Sequence, residues 1–114
     1  MPDTAGNLRA GRAFRHTGAA LAGVLLAMPA LADVPASRAA ELEHMVIQDC
    51  GSCHGLTLKG GLGRPLTPDA LIHADRETLS LIILDGIPGT AMPPWRPLLS
   101  EEEALWIAAY LKQE

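Results

Sequence analysis

The chain has 114 residues, 48% hydrophobic and 19% charged, with thirteen Asp and Glu against nine Lys and Arg for a net charge of −4. That balance argues against a nucleic-acid partner and for partners with basic patches. Only two cysteines and four histidines are available for any metal or thiol chemistry.

The N-terminus reads as a targeting segment. Arg9, Arg12 and Arg15 form a basic leader, Gly18 to Ala27 is apolar, Pro29 breaks the run, and Ala30-Leu31-Ala32 offers a small-x-small cleavage pattern. The stretch from Gly18 to Ala32 falls short of the roughly 20 apolar residues that span a bilayer. The expectation is a signal peptide over 1–32, cleaved on export to the periplasm, with no stable membrane insertion afterwards. One small domain follows over 33–114. Its 82 residues carry six Lys and Arg against twelve Asp and Glu, a net charge of −6. A core of that size gains much from a covalent staple.

Ser37 to Asp49 reads as the first helix, with Leu42, Met45, Val46 and Cys50 at helical spacing. It runs directly into Cys50-Gly51-Ser52-Cys53-His54. Two thiols three positions apart with a histidine behind them form the attachment signature of a c-type haem. The thiols add to the two vinyl groups, and His54 becomes the proximal iron ligand. A structural zinc site would need a second pair of ligands, which the sequence lacks. A redox dithiol would need a strand–helix setting, and nothing here alternates like a strand.

Gly55 to Leu66 is a loop, since Gly60, Gly61, Gly63 and Pro65 oppose a helix. Thr67-Pro68-Asp69 starts a short helix to about His73, and a further helix runs from near Asp75, with Leu79, Ile82 and Ile83 on one face, to Gly86. Ile87 to Leu99 holds four prolines and one glycine, a rigid irregular loop. The last helix opens with Ser100 and Glu103 as a capping box, Leu99 ahead of it as a hydrophobic staple. Ala104, Ile107, Ala108 and Leu111 form its stripe, with Trp106 and Tyr110 beside it. The pattern is all-α, with terminal helices that pack together.

Met92, in Gly89-Thr90-Ala91-Met92-Pro93-Pro94, lies 38 residues after His54 on a loop that prolines stiffen. It is the best-placed sixth ligand to the iron. Met45 reads as core, and His44 and His73 are the competing donors. A His54/Met92 pair fills both axial positions, which favours an electron carrier over an enzyme. The free N–H of the His54 ring needs an acceptor, for which the Pro65 carbonyl is the candidate. Arg64, Trp95 and Arg96 are candidates for the haem propionates.

These residues resemble the class I cytochromes c, over most of residues 37–111. The features are a first helix leading into Cys-x-x-Cys-His, a late Met-Pro loop, and a last helix ending in an aromatic-Leu pair, here Tyr110-Leu111. The resemblance implies about four short helices around one covalently bound haem c, thioethers at Cys50 and Cys53, and iron ligands at His54 and Met92. Many members carry an aromatic residue four positions before the first cysteine, packed on the last helix; this chain has Val46.

Gln48 to Gly63 and Pro88 to Arg96 resemble, more narrowly, the small periplasmic cytochromes that accompany the haem c/haem d-type nitrite reductase of denitrifying bacteria. That likeness implies a monomeric electron donor whose redox partners include a nitrite reductase and an upstream donor. The alternative it implies is a maturation or haem-handling factor for that reductase.

Overall fold

The computed structural model describes residues 34–114. The expected leader over 1–32, its cleavage point and the domain boundary at Asp33 lie outside the described residues. Among the described residues the order is α1 (Ala36–Met45), a π-wound turn (Val46–Cys50), α2 (Gly51–His54), a 3₁₀ turn (Asp69–Leu71), α3 (Arg76–Asp85) and α4 (Glu101–Lys112), with no strand. The all-α expectation agrees with this.

From α1 to α2 the chain is one rod, because Met45, Val46, Cys50 and Gly51 all keep right-handed helical backbone angles. Within it the Gly51 N–H reaches back to the Val46 carbonyl, five residues away. Each residue added to a helical turn rotates the remainder of the rod by about 100°. The π-wound turn therefore re-aims Cys50, Cys53 and His54 relative to the α1 face that carries Leu42.

The expected helix over Thr67 to His73 contracts to a single 3₁₀ turn, whose Leu71 N–H is shared by the Thr67 and Pro68 carbonyls at 3.1 Å each. Too few residues separate Pro68 from the Asp75 cap for a helix to propagate beyond its nucleus. Leu71 is buried and ties the turn to the core. At the start of α3 the Asp75 carboxylate accepts the Thr78 N–H at 2.7 Å and the Thr78 hydroxyl at 2.8 Å. The N–H bond first, then the hydroxyl, hold that carboxyl below its ordinary value.

The terminal helices meet as expected. Leu42 and Val46 are sealed in one cluster with Ala104, Ile107, Ala108 and Leu111 of α4, and Leu79, Leu84 and Leu99 complete it. Val46 and Ala104 are both fully buried in that cluster, so small side chains fill the core where the resemblance expects an aromatic residue. Trp106 and Tyr110 stack with ring centroids 5.3 Å apart along α4.

The capping box at Ser100 and Glu103 is present in both directions. Glu103 also accepts Arg38 Nε from α1 at 2.5 Å, so one carboxylate caps α4 and ties it to α1. Arg38 first, then the Ser100 N–H, hold the Glu103 carboxyl below its ordinary 4.5.

Candidate haem-attachment site

Cys50, Cys53 and His54 fall at i, i+3 and i+4 on a continuous helical rod, and that spacing places all three on one face. Cys50 is half-buried against the core, while Cys53 is exposed. Burial first, then the Asp49 charge, push the Cys50 thiol up to about 11. A redox dithiol needs its attacking thiol shifted the other way.

Downstream, the glycine loop folds back onto the end of the rod. The Gly60 N–H donates to the His54 carbonyl at 2.8 Å and the Gly63 N–H to the Cys53 carbonyl at 2.7 Å, capping carbonyls that have no helical partner. The His54 Nδ1–H donates to a carbonyl at 2.6 Å, but that carbonyl belongs to Arg64 and not to Pro65. Pro65 acts one step removed: a proline biases the residue before it toward extended backbone, and Arg64 holds that place. A carbonyl can only accept, so Nδ1 carries the proton and Nε2 keeps its lone pair for a metal.

Gly63 is a residue that sequence reasoning recognised only as a helix breaker. A Cβ there would stand 2.7 Å from both Nδ1 and Cε1 of the His54 ring. The imidazole rests against bare backbone, and only glycine leaves room for it. Two free thiols on one helical face, a histidine with a committed tautomer and a cradle open only without a Cβ together fit a covalently attached haem.

Met92 is half-buried in the loop after α3, its carbonyl accepting the Ile87 N–H at 3.2 Å. Gly86, at φ +66°, lies against it, and a Cβ at Gly86 would stand 2.6 Å from the Met92 carbonyl oxygen. Beyond the two prolines, the Trp95 N–H donates to the Ile83 and Leu84 carbonyls and the Arg96 N–H to the Leu84 carbonyl. The Met-Pro-Pro segment is thereby clamped to the end of α3 on both sides. The other donors differ: Met45 packs on the core, and His44 and His73 are exposed.

Of the three propionate candidates, Arg96 is engaged elsewhere. Its guanidinium meets Asp85 at 2.8 Å and Glu101 at 3.5 Å, linking the end of α3 to the start of α4. Trp95 packs partly buried against the core, and Arg64 is exposed. Among the described residues no helix is long and apolar enough to cross a membrane.

Residues 37–111 match the family described as "Cytochrome C oxidase, cbb3-type, subunit III". The chain is 63% identical over 93 residues to a cytochrome c55X of Paracoccus denitrificans, covering 81% of this chain and 90% of that one. It is 55% identical over 82 residues to a cytochrome c55X of Pseudomonas aeruginosa, covering 70% and 69%. Among solved structures it resembles a c-type cytochrome NirC with a TM-score of 0.69 at 51% identity, covering 70% of this chain and 94% of NirC. It also resembles part of a dihydro-heme d1 dehydrogenase, NirN, with a TM-score of 0.58 at 34% identity, covering 62% of this chain and 15% of NirN. The chain therefore belongs to this cytochrome c family, as a class I c-type cytochrome of the cytochrome c55X and NirC kind.

Proposed function

We propose that this protein is a periplasmic electron carrier that donates to a nitrite reductase in denitrification, exported by a signal peptide over 1–32 and working as a monomer. Cys50 and Cys53 would hold one haem c through thioethers, and His54 and Met92 would ligate its iron. When bound, the haem supplies a one-electron store on iron. The observation that carries this reading is the shared helical face of Cys50, Cys53 and His54, with Nδ1 of His54 already committed to the Arg64 carbonyl.

Gly63 gives the imidazole its seat, and the Arg64 carbonyl keeps the ring from turning and makes Nε2 a better donor. The hydrogen bonds on either side of Met92 tie its backbone to the end of α3. With both iron ligands supplied by the chain, no position would be left for a substrate, which would separate a carrier from an enzyme. The net charge of −6 over residues 33–114 suits a transient encounter with a basic docking surface.

The test mixes the reduced protein with a haem c/haem d-type nitrite reductase in stopped flow. Rapid oxidation that slows steeply as salt rises from low to physiological strength supports the proposal. Absence of transfer at any ionic strength contradicts the donor role.

One observation favours a second reading, a maturation or haem-handling factor for the reductase: the likeness to part of a dihydro-heme d1 dehydrogenase. Deleting the gene separates the two. Reductase made but lacking its special haem points to maturation; complete reductase starved of electrons points to the carrier.

A further inference from the structure

Between α3 and Pro93 the chain closes on itself. Ile87-Pro88-Gly89-Thr90 is a reverse turn whose Thr90 N–H donates to the Ile87 carbonyl at 3.1 Å, with Gly89 at φ +77°. The Thr90 hydroxyl donates to that same carbonyl at 2.7 Å. It also accepts the Met92 N–H at 3.3 Å, a long bond. The Met92 carbonyl in turn accepts the Ile87 N–H. Both backbone polar groups of Met92 are thus held by this ring of six residues, independently of anything its thioether does.

We propose that Thr90 is a positioning residue for Met92. Its hydroxyl, bridging the Ile87 carbonyl and the Met92 N–H, keeps the loop in the conformation from which the thioether ligates iron, and so sets how readily an outside ligand displaces it. The inference rests on Met92 being the sixth ligand. A loop ordered in advance loses less conformational freedom on ligation, so the hydroxyl shifts the balance between closed and open loop. Thr90 is itself exposed and outside the core cluster, so removing the hydroxyl spares the packing. Losing a modest hydrogen bond or two changes such an equilibrium by about five- to tenfold.

The test titrates the ferric, haem-loaded protein with imidazole while following the long-wavelength sulfur-to-iron absorption band. T90V, which keeps the shape and drops the hydroxyl, is compared with T90S, which keeps the hydroxyl, and with M92A. Imidazole binding about five- to tenfold tighter in T90V and unchanged in T90S, with thermal unfolding intact in both, is the expected result. T90V titrating like the wild type overturns the inference, as does T90S behaving like T90V. A T90V protein that fails to fold also overturns it, because the hydroxyl would then hold the fold and not the loop. If M92A keeps the band, the ligand assignment itself is wrong. If M92A loses the band and T90V does not differ from the wild type, only the role of Thr90 is lost.

Discussion

His54 donates its Nδ1 proton to the carbonyl of Arg64 at 2.6 Å, and the backbone of Gly63 presses against the same ring so closely that a Cβ would stand 2.7 Å from Nδ1. Gly63→Ala must displace either the imidazole or the loop. Overpacking of this kind costs about 1–3 kcal/mol. The variant is expected to keep both thioethers, unfold at a lower temperature and show a changed ferric spectrum. An unaltered melting curve and spectrum would mean the ring has slack that the geometry denies.

Two glycines ahead of Met92 separate conformational cost from collision. Gly86 at φ +66° would place a Cβ 2.6 Å from the Met92 carbonyl oxygen, whereas a Cβ on Gly89 at φ +77° meets nothing within 4 Å. Gly89→Ala carries only the left-handed backbone cost, about 1–2 kcal/mol. Gly86→Ala adds a clash with backbone that cannot swing aside. Thermal unfolding should therefore rank Gly86→Ala well below Gly89→Ala, and only the former should weaken the sulfur-to-iron band. Equal loss in both would mean that collision with the Met92 backbone adds nothing.

Glu103 couples helix capping to the α1–α4 contact. Its carboxyl sits below its ordinary 4.5, chiefly through Arg38, so the stability it contributes is present above that value and is lost as pH falls through the depressed one. Glu103→Gln keeps a side chain able to complete the capping box but ends the ion pair with half-buried Arg38, a small loss. Glu103→Ala ends both and should cost more. Unfolding measured from neutral pH into acid should fall less steeply for Glu103→Gln than for the wild type; parallel curves would show that another carboxylate governs acid lability.

Arg96 lies beside the methionine loop yet spends its charge on Asp85 and Glu101. Exposed pairs of this kind contribute little to stability. Arg96→Gln should leave the reduction potential close to wild type with a small drop in melting temperature. A large change in potential would place the guanidinium on a propionate instead.

The attachment motif, the start of α3 near Asp75, the capping box at Ser100 and the apolar stripe of α4 are legible in the sequence because each depends on residues within a turn or two of one another. The π winding at Val46–Cys50 was not, since β-branched and polar residues there fit an ordinary helix equally well. Similarly, the acceptor for His54 fell one residue from Pro65 because a proline is conspicuous in sequence while its effect is on the backbone of its neighbour. The partners of Arg96 come from two different helices, a relation no local pattern records. Gly63 stands out in sequence only as a helix breaker and Gly86 only as a helix end; their spacing from His54 and Met92 is the signal available, and only the folded loops reveal what they make room for.

Haem joined to Cys50 and Cys53 is the claim on which the ligand assignments and the carrier role depend. The direct measurement is the intact mass of the full-length gene product expressed in a host that attaches haem during export, beside the Cys50→Ala/Cys53→Ala double variant. The wild-type chain should exceed its polypeptide mass by one haem that survives denaturation, and the double variant should not. A wild-type chain of bare polypeptide mass, from a host that loads other c-type cytochromes, would contradict covalent attachment and the electron-carrier role with it.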